Sequence, residues 1–308
     1  MKRKSFNIVK NNLPYKSIRH IKDNYVIKYI NQILKKKDLY KIHSNKKIVD
    51  SFLKNYINWI SSSKLNKFKN LNKFKFATFS NGTSQTFDMF YLKHHNRRFR
   101  LMKGEYAYHF LSFRNHKLKW KYIEDDKLSR NDALIISLPF SDSGNIHEQL
   151  GILLNECSKK KIPVLLDCCY LTSCKNINFD FDQKCIETIT FSLSKCFPVS
   201  RFRIGMRLQK EDDDDPMYVY QKEKYLNLLS CYIGNKLINK FNFDYIYNKY
   251  AIIQKKICEK MNLKPSSVVN LALGGNSYSQ YNRGGKFNRL CISNILEKNY
   301  EKFVLGKY

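Results

Sequence analysis

Lys195 lies among small hydroxyls and is followed by a guanidinium, in Phe191-Ser192-Leu193-Ser194-Lys195-Cys196-Phe197-Pro198-Val199-Ser200-Arg201-Phe202-Arg203-Ile204-Gly205. A lysine amine can condense with a carbonyl carbon to give a Schiff base. Ser192, three residues before it, and Arg203, eight after it, can hold a phosphate. The set suits a cofactor that carries both an aldehyde and a phosphate. An isolated Ser-x-Ser-Lys also occurs as a surface loop of a lysine-rich chain, so the remaining sequence must decide.

Further groups of this kind recur where strands end. Ser80-Asn81-Gly82-Thr83-Ser84-Gln85 closes one strand and opens a helix, so its backbone N–H groups and the hydroxyls of Thr83 and Ser84 can cradle a phosphate. The same residues equally suit an ordinary helix cap. Asp167 ends the run Ile162-Pro163-Val164-Leu165-Leu166-Asp167. It is either a turn residue or, beside a bound nitrogen heterocycle, the group that keeps a ring nitrogen protonated. Tyr170 follows three residues later with a hydroxyl for a ring oxygen. Tyr106, in Lys103-Gly104-Glu105-Tyr106, is either core or a ring to stack on a flat ligand.

The elements that must position these groups alternate between strand and helix. Apolar spacing predicts a helix over 47–59, a strand over 74–79, a helix over 84–95, and strands over 99–102 and 134–138. Ile146, Leu150, Leu153 and Leu154 share one face of a helix over 146–159, which finishes in Lys159-Lys160-Lys161, cations suited to the carbonyl end. Strands over 162–167, 186–191 and 204–208 complete the pattern. Such alternation implies a mainly parallel α/β sheet whose ligands gather beyond the strand carboxyl ends. Residues 1–45 read as an irregular or partly helical arm.

Composition bounds the function. The 308 residues are 43% hydrophobic with 21 Phe and 21 Tyr, enough for a substantial core. No run approaches the roughly 20 apolar residues of a membrane helix, and Met1-Lys2-Arg3-Lys4-Ser5-Phe6-Asn7 lacks the apolar centre of a secretory signal, so a cytoplasmic protein is expected. Nine cysteines without a Cys-x-x-Cys pair fit neither a disulfide scaffold nor a zinc knuckle and read as reduced core thiols. The net charge is +30, and residues 1–75 hold 20 basic and 3 acidic side chains. That field attracts anions, nucleic acid among them. The lysines are nevertheless scattered among hydrophobic residues without a nucleic-acid motif, so composition alone accounts for them. The acidic run Glu211 to Asp215 reads as a solvated connector rather than a metal site.

In order and interval, residues 76–208 resemble fold-type I pyridoxal phosphate enzymes, specifically the class I/II aminotransferase family, most strongly in Asp167-x-x-Tyr170 followed by Ser192-x-Ser194-Lys195. The resemblance implies a three-layer large domain over 46–210 with a mainly parallel sheet. A small, shortened α+β domain over 211–308 would pack with the 1–45 arm. It implies pyridoxal 5'-phosphate on Lys195, with Gly82, Thr83, Ser84, Ser192 and Arg203 around the phosphate. Tyr106 would lie on the ring, Asp167 at its nitrogen and Tyr170 at its oxygen. Tyr40 would reach the phosphate of a second subunit in a homodimer, and Arg289 would grip a substrate carboxylate. The implied activity is transamination between an amino acid and a keto acid, with Lys195, Asp167 and Tyr170 catalytic and no metal. The runners-up are a lyase or decarboxylase on the same scaffold and a catalytically degenerate homologue that binds nucleic acid or protein. The chain departs from the family at Leu138-Pro139-Phe140-Ser141-Asp142-Ser143-Gly144, where Ser141 takes the place of an asparagine. Only about 100 residues follow the lysine strand.

Overall fold

The computed structural model describes residues 13–35 and 38–304; the basic stretch that opens the arm lies outside them. The helices are α1 (Asn24–Leu34), α2 (Leu39–His43), α3 (Lys47–Ser61), α4 (Thr83–Lys93), α5 (Ala107–Asn115), α6 (Leu150–Lys160), α7 (Pro216–Glu223), α8 (Leu228–Lys240), α9 (Tyr245–Met261) and α10 (Ser293–Val304). The strands are β1 (Lys67–Lys69), β2 (Phe76–Asn81), β3 (Arg98–Leu101), β4 (Trp120–Tyr122), β5 (Asp132–Ser137), β6 (Val164–Asp167), β7 (Asn178–Asp180), β8 (Ile186–Ser192), β9 (Ile204–Gln209), β10 (Leu263–Pro265), β11 (Leu271–Gly274) and β12 (Asn288–Cys291).

Seven strands form one sheet in the order β2-β9-β8-β6-β5-β3-β4, and only β9 runs against the others. Every residue of β5 and β6 is buried, as befits parallel strands covered on both faces. Side-chain alternation divides those faces. Ala133, Ile135 and Leu165 join Phe87, Phe90 and Tyr91 of α4 and Phe113 of α5 in one cluster. Leu134, Ile136, Val164 and Leu166 join Leu150, Leu153 and Leu154 of α6 in the larger one, which also takes in Phe52 and Tyr56 of α3. The result is the expected three-layer α/β arrangement. Beside it β10, β11 and β12 form an antiparallel sheet, and α9 packs against both β10 and α10.

Differences from the expected elements are local. α6 starts at Leu150 rather than 146, because Phe140 N–H bonds the Asn145 carbonyl and Gly144 N–H the Phe140 carbonyl, closing a turn there. The acidic run is not all solvated: Asp215 accepts both Arg207 Nη1 and the Tyr218 N–H that opens α7, with Pro216 at the first helical position. In the arm, the buried Asp23 caps α1 through the N–H groups of Tyr25 and Val26 and meets Lys249 Nζ at 2.8 Å. Earlier in the arm, Tyr15 exchanges two 2.9 Å backbone hydrogen bonds with Cys291, an isolated bridge that ties the arm to the end of β12.

Candidate active site

Six of the seven strands point their carboxyl ends to one edge, and the reversed β9 begins there. Asn81, Leu101, Ser137, Asp167, Ser192 and Arg203 are therefore gathered at that edge, although they are far apart in the chain. Lys195 occupies the turn from β8 to β9, which Leu193, Cys196, Phe197 and Val199 anchor in the core. Ser192 Oγ stiffens the turn: it accepts the Ser194 N–H at 3.1 Å, lies 2.9 Å from Ser194 Oγ and donates to the Ile204 carbonyl at 3.2 Å. Half-buried Lys195 donates from Nζ to the Ile18 carbonyl of the arm at 3.3 Å.

Asp167 ends β6 in register with Ser137 and Thr190 and accepts the Cys169 N–H at 3.0 Å. Burial pushes its carboxyl up to about 6 against the opposing effects of that N–H and the Lys195 charge. Tyr170 is buried, which raises its phenol well above the ordinary range, while the charges of Arg289 and Arg283 act the other way. Tyr106 opens α5, is 44% exposed, and stacks on Tyr108 with 6.0 Å between centroids.

At the other side of the edge, Gly82 joins β2 to α4 with φ +72°, and a Cβ on it would lie 2.3 Å from Arg203 Nη2. Arg203 itself has a left-handed φ of +54°, and its Nη2 donates to Ser84 Oγ at 3.0 Å. α4 has neither a side-chain cap nor an acidic residue in its first turn. A guanidinium at the positive end of an uncapped helix is an unfavourable neighbour unless an anion lies between them.

A cavity of about 450 Å³ is lined by Lys195, Tyr106, Tyr170 and Arg289, with Glu105, Arg283 and the arm residues Lys16 to Ile18 closing it. Asp167 lies outside the wall, only 2% exposed, and Gly82, Thr83, Ser84, Ser192 and Arg203 do not line the cavity either. Tyr40 stands on α2, 79% exposed and away from this wall. A second cavity of the same volume, between Met102 and Phe287, shares none of these residues. Among the described residues there is no cluster of three side chains able to hold a metal ion, and no helix is long and apolar enough to cross a membrane.

Arg289 on β12 is 1% exposed and gives Nη1 to the Ser141 carbonyl and Nη2 to the Lys16 carbonyl at 3.0 Å, while Nε has no partner. Burial, reinforced by the Arg283 charge, lowers its guanidinium to about 10. Glu105 and Arg283, which line the cavity with Lys16, and the buried His109, which does not, were not assigned from sequence. Glu105 is buried, accepts the Ser137 N–H at 2.7 Å and the Ser137 hydroxyl at 2.8 Å, and is pushed by burial up to about 7. His109, one helical turn after Tyr106, meets the Tyr91 hydroxyl through Nδ1 at 2.7 Å, leaves Nε2 without a partner, and is pushed by burial down to about 3. Its three-residue offset from Tyr106 was the available signal. Arg283 had none beyond its closeness in sequence to Arg289.

No family model matches the chain, and no curated protein does. Solved structures do match over almost the whole length. MppP, in a structure soaked with the product 2-ketoarginine, is 12% identical, with 94% of this chain and 98% of that one covered at a TM-score of 0.69. The tyrosine aminotransferase from Leishmania infantum is 11% identical, with 95% and 92% covered at 0.62. The PLP-bound C-S lyase from Staphylococcus hominis is 11% identical, with 94% and 89% covered at 0.59. Identity this low speaks for architecture, and on that ground the chain has the fold of the fold-type I pyridoxal phosphate aminotransferases.

Proposed function

We propose that the protein is a pyridoxal phosphate-dependent aminotransferase that takes an amino group from an amino acid and passes it to a keto acid, with Lys195 holding the cofactor. The observation that carries this reading is the opening of the Lys195 amine into one cavity with Tyr106, Tyr170 and Arg289, at the strand edge where the buried Asp167 ends β6.

The residues fit the cofactor. A phosphate is the anion that would reconcile Arg203 with the uncapped amino end of α4, and Gly82 leaves the backbone bare there. Gly82, Thr83, Ser84, Ser192 and Arg203 would hold that phosphate, Tyr106 would cover the ring, and Tyr170 would meet its oxygen. Asp167, ionised above about pH 6, would hold a proton at the ring nitrogen. When bound, pyridoxal phosphate supplies an electrophilic carbon for the substrate amine and a ring that accepts electrons. Arg289 then fixes the substrate through its α-carboxylate, displacing the carbonyl partners seen here. Lys195 Nζ, leaving the Ile18 carbonyl, moves the proton to and from the substrate α-carbon.

The same reading makes the protein a homodimer, with Tyr40 contributed across the interface. It divides the chain into an arm (1–45), a large domain (46–210) and a small domain (211–308). The separate β10-β11-β12 sheet with α9 and α10 supports the small domain, and α8 packed on α3 and α7 packed on β2 are contacts across that division. All nine cysteines are buried and free, which favours the reducing cytoplasm.

The test is the near-ultraviolet and visible spectrum of the protein with pyridoxal phosphate, before and after borohydride, beside Lys195→Ala. The expected outcome is an absorption band in the parent that borohydride converts to a permanent label on the Lys195 peptide, absent from the variant, and bleached by an amino-acid substrate. No band at saturating cofactor would overturn the proposal.

A further inference from the structure

Glu105 is the one carboxyl on the wall of the Lys195 cavity, and it is joined to Arg289 by an unbroken run of hydrogen bonds. Its two oxygens each lie 2.8 Å from Ser137 Oγ, at the end of β5. Ser137 Oγ accepts the Ser141 N–H at 2.8 Å, and the Ser141 carbonyl accepts Arg289 Nη1. An ionised carboxyl only accepts, so the Ser137 hydroxyl donates to it. Every donor in the run then points from the guanidinium toward the carboxylate, and a negative Glu105 strengthens the set. A proton on Glu105 makes one of its oxygens a donor. The Ser137 N–H already occupies Oε1 and the Tyr106 N–H meets Oε2 at 3.3 Å, so the group facing the new donor is Ser137 Oγ, whose own hydroxyl must turn away. The hold on Ser141, and through it on Arg289, is weakened.

Resting on the reading of Arg289 as the carboxylate site, we propose that Glu105 is a positioning residue: acting through Ser137 and Ser141, it holds Arg289 to its resting carbonyl while ionised and releases it to a carboxylate ligand on taking up a proton. The charged and titratable groups around Glu105 come from several elements. Asp167 ends β6 and its charge raises Glu105 further, Tyr170 follows it, and Asp142 packs against Gly104. His109 is on α5, Arg289 on β12, and Arg283, Lys195 and Lys16 share the wall, with Arg283 Nη2 on the Glu105 carbonyl at 2.7 Å. Asp167 near 6, His109 near 3 and Arg289 near 10 lie away from the carboxyl of Glu105, near 7. Since the protonated form of Glu105 frees Arg289, a bound carboxylate must draw a proton onto Glu105, and affinity must fall as pH rises through 7.

The test is calorimetric titration of the whole protein with valerate, as purified and again after loading with pyridoxal phosphate, between about pH 6 and 9. Each titration is run in two buffers of different ionisation enthalpy, which counts the protons taken up. The parent is expected to bind valerate about five- to tenfold more weakly at pH 8 than at pH 6, and to take up about half a proton or more per valerate near pH 7.5. Glu105→Gln, fixed in the neutral form, should bind at pH 8 within about twofold of the parent at pH 6 and take up no proton near pH 7.5. A merely structural loss would instead weaken valerate at every pH. Ser137→Ala keeps the N–H on Glu105 and removes the hydroxyl that joins the run. It should cut the uptake to less than about half across the range, whereas a charge acting through space would keep the uptake and only move it to higher pH. Circular dichroism checks the fold of each variant, and the proton count of the parent needs no variant. The proposal is overturned by a parent that binds no valerate or binds it without proton uptake, or by uptake that survives in folded Glu105→Gln or Ser137→Ala. Uptake carried by Glu105 in a protein that takes up no pyridoxal phosphate would leave its role standing and remove only the cofactor reading.

Discussion

Glu105 combines full burial with hydrogen bonds that hold it in place, so its titration is tied to folding. Its carboxyl is near 7 in the folded chain against 4.5 ordinarily, with burial as the main cause and the Ser137 donors opposing. A raised pKa means that the protonated form suits the fold. The stabilisation is complete below about pH 4.5 and is lost as pH rises through 7, a span worth on the order of 3 kcal/mol. Glu105→Gln should remove that slope and leave the variant more stable than the parent at pH 8, as read from urea unfolding between pH 5 and 8. Parallel curves for the two proteins would refute this. Lys195, Asp167 and Tyr170 were legible in sequence because their spacing lies within a turn or just past a strand end. Glu105 was legible only as part of the Lys103-Gly104-Glu105-Tyr106 run, since its partner Ser137 comes from another strand.

The element proposed to hold the phosphate is a junction, and a junction is sensitive to backbone geometry. Gly82 combines φ +72° with an extended ψ, a region that a side chain enters at a cost of about 1–3 kcal/mol. Its missing Cβ also leaves room for the Arg203 guanidinium. Gly82→Ala should therefore raise the dissociation constant for pyridoxal phosphate by about tenfold or more, with the far-ultraviolet circular dichroism retained. Unchanged affinity would detach this loop from the phosphate. Strands β5 and β6 were readable because strands buried on both faces appear as continuous apolar runs, and β8 because its Ile186, Ile189 and Phe191 are spaced by β-branched threonines. α5 was not, because the residues it buries, His109, Ser112 and Phe113, make no apolar stripe, and tertiary contacts with Tyr91 and Phe99 select the helix. The start of α6 was misread for a related reason: Ile146 fits the stripe but is 39% exposed, held off the helix by the turn before it.

At the scale of the molecule, the arm closes the site from one side by placing the Lys16 and Ile18 carbonyls on Arg289 and Lys195. Tyr40, 79% exposed on the same arm, is free of the cavity of its own chain and available to a second copy. Sedimentation velocity is expected to give twice the 36.7 kDa chain mass. Tyr40→Phe should keep that mass while weakening pyridoxal phosphate by about tenfold, the effect of one lost hydrogen bond to a charged group. A monomer that binds the cofactor fully would contradict both. The sequence by itself determined the alternation of strands and helices, the buried strands, and the turn that carries Lys195, because each depends on residues within a few positions of one another. Only the tertiary structure decided that Lys16, Glu105 and Arg283 line the cavity and that Asp167 and His109 lie outside its wall. Those positions follow from the strand order and from the arm's pairing with β12, contacts between segments up to 276 positions apart that no local periodicity encodes.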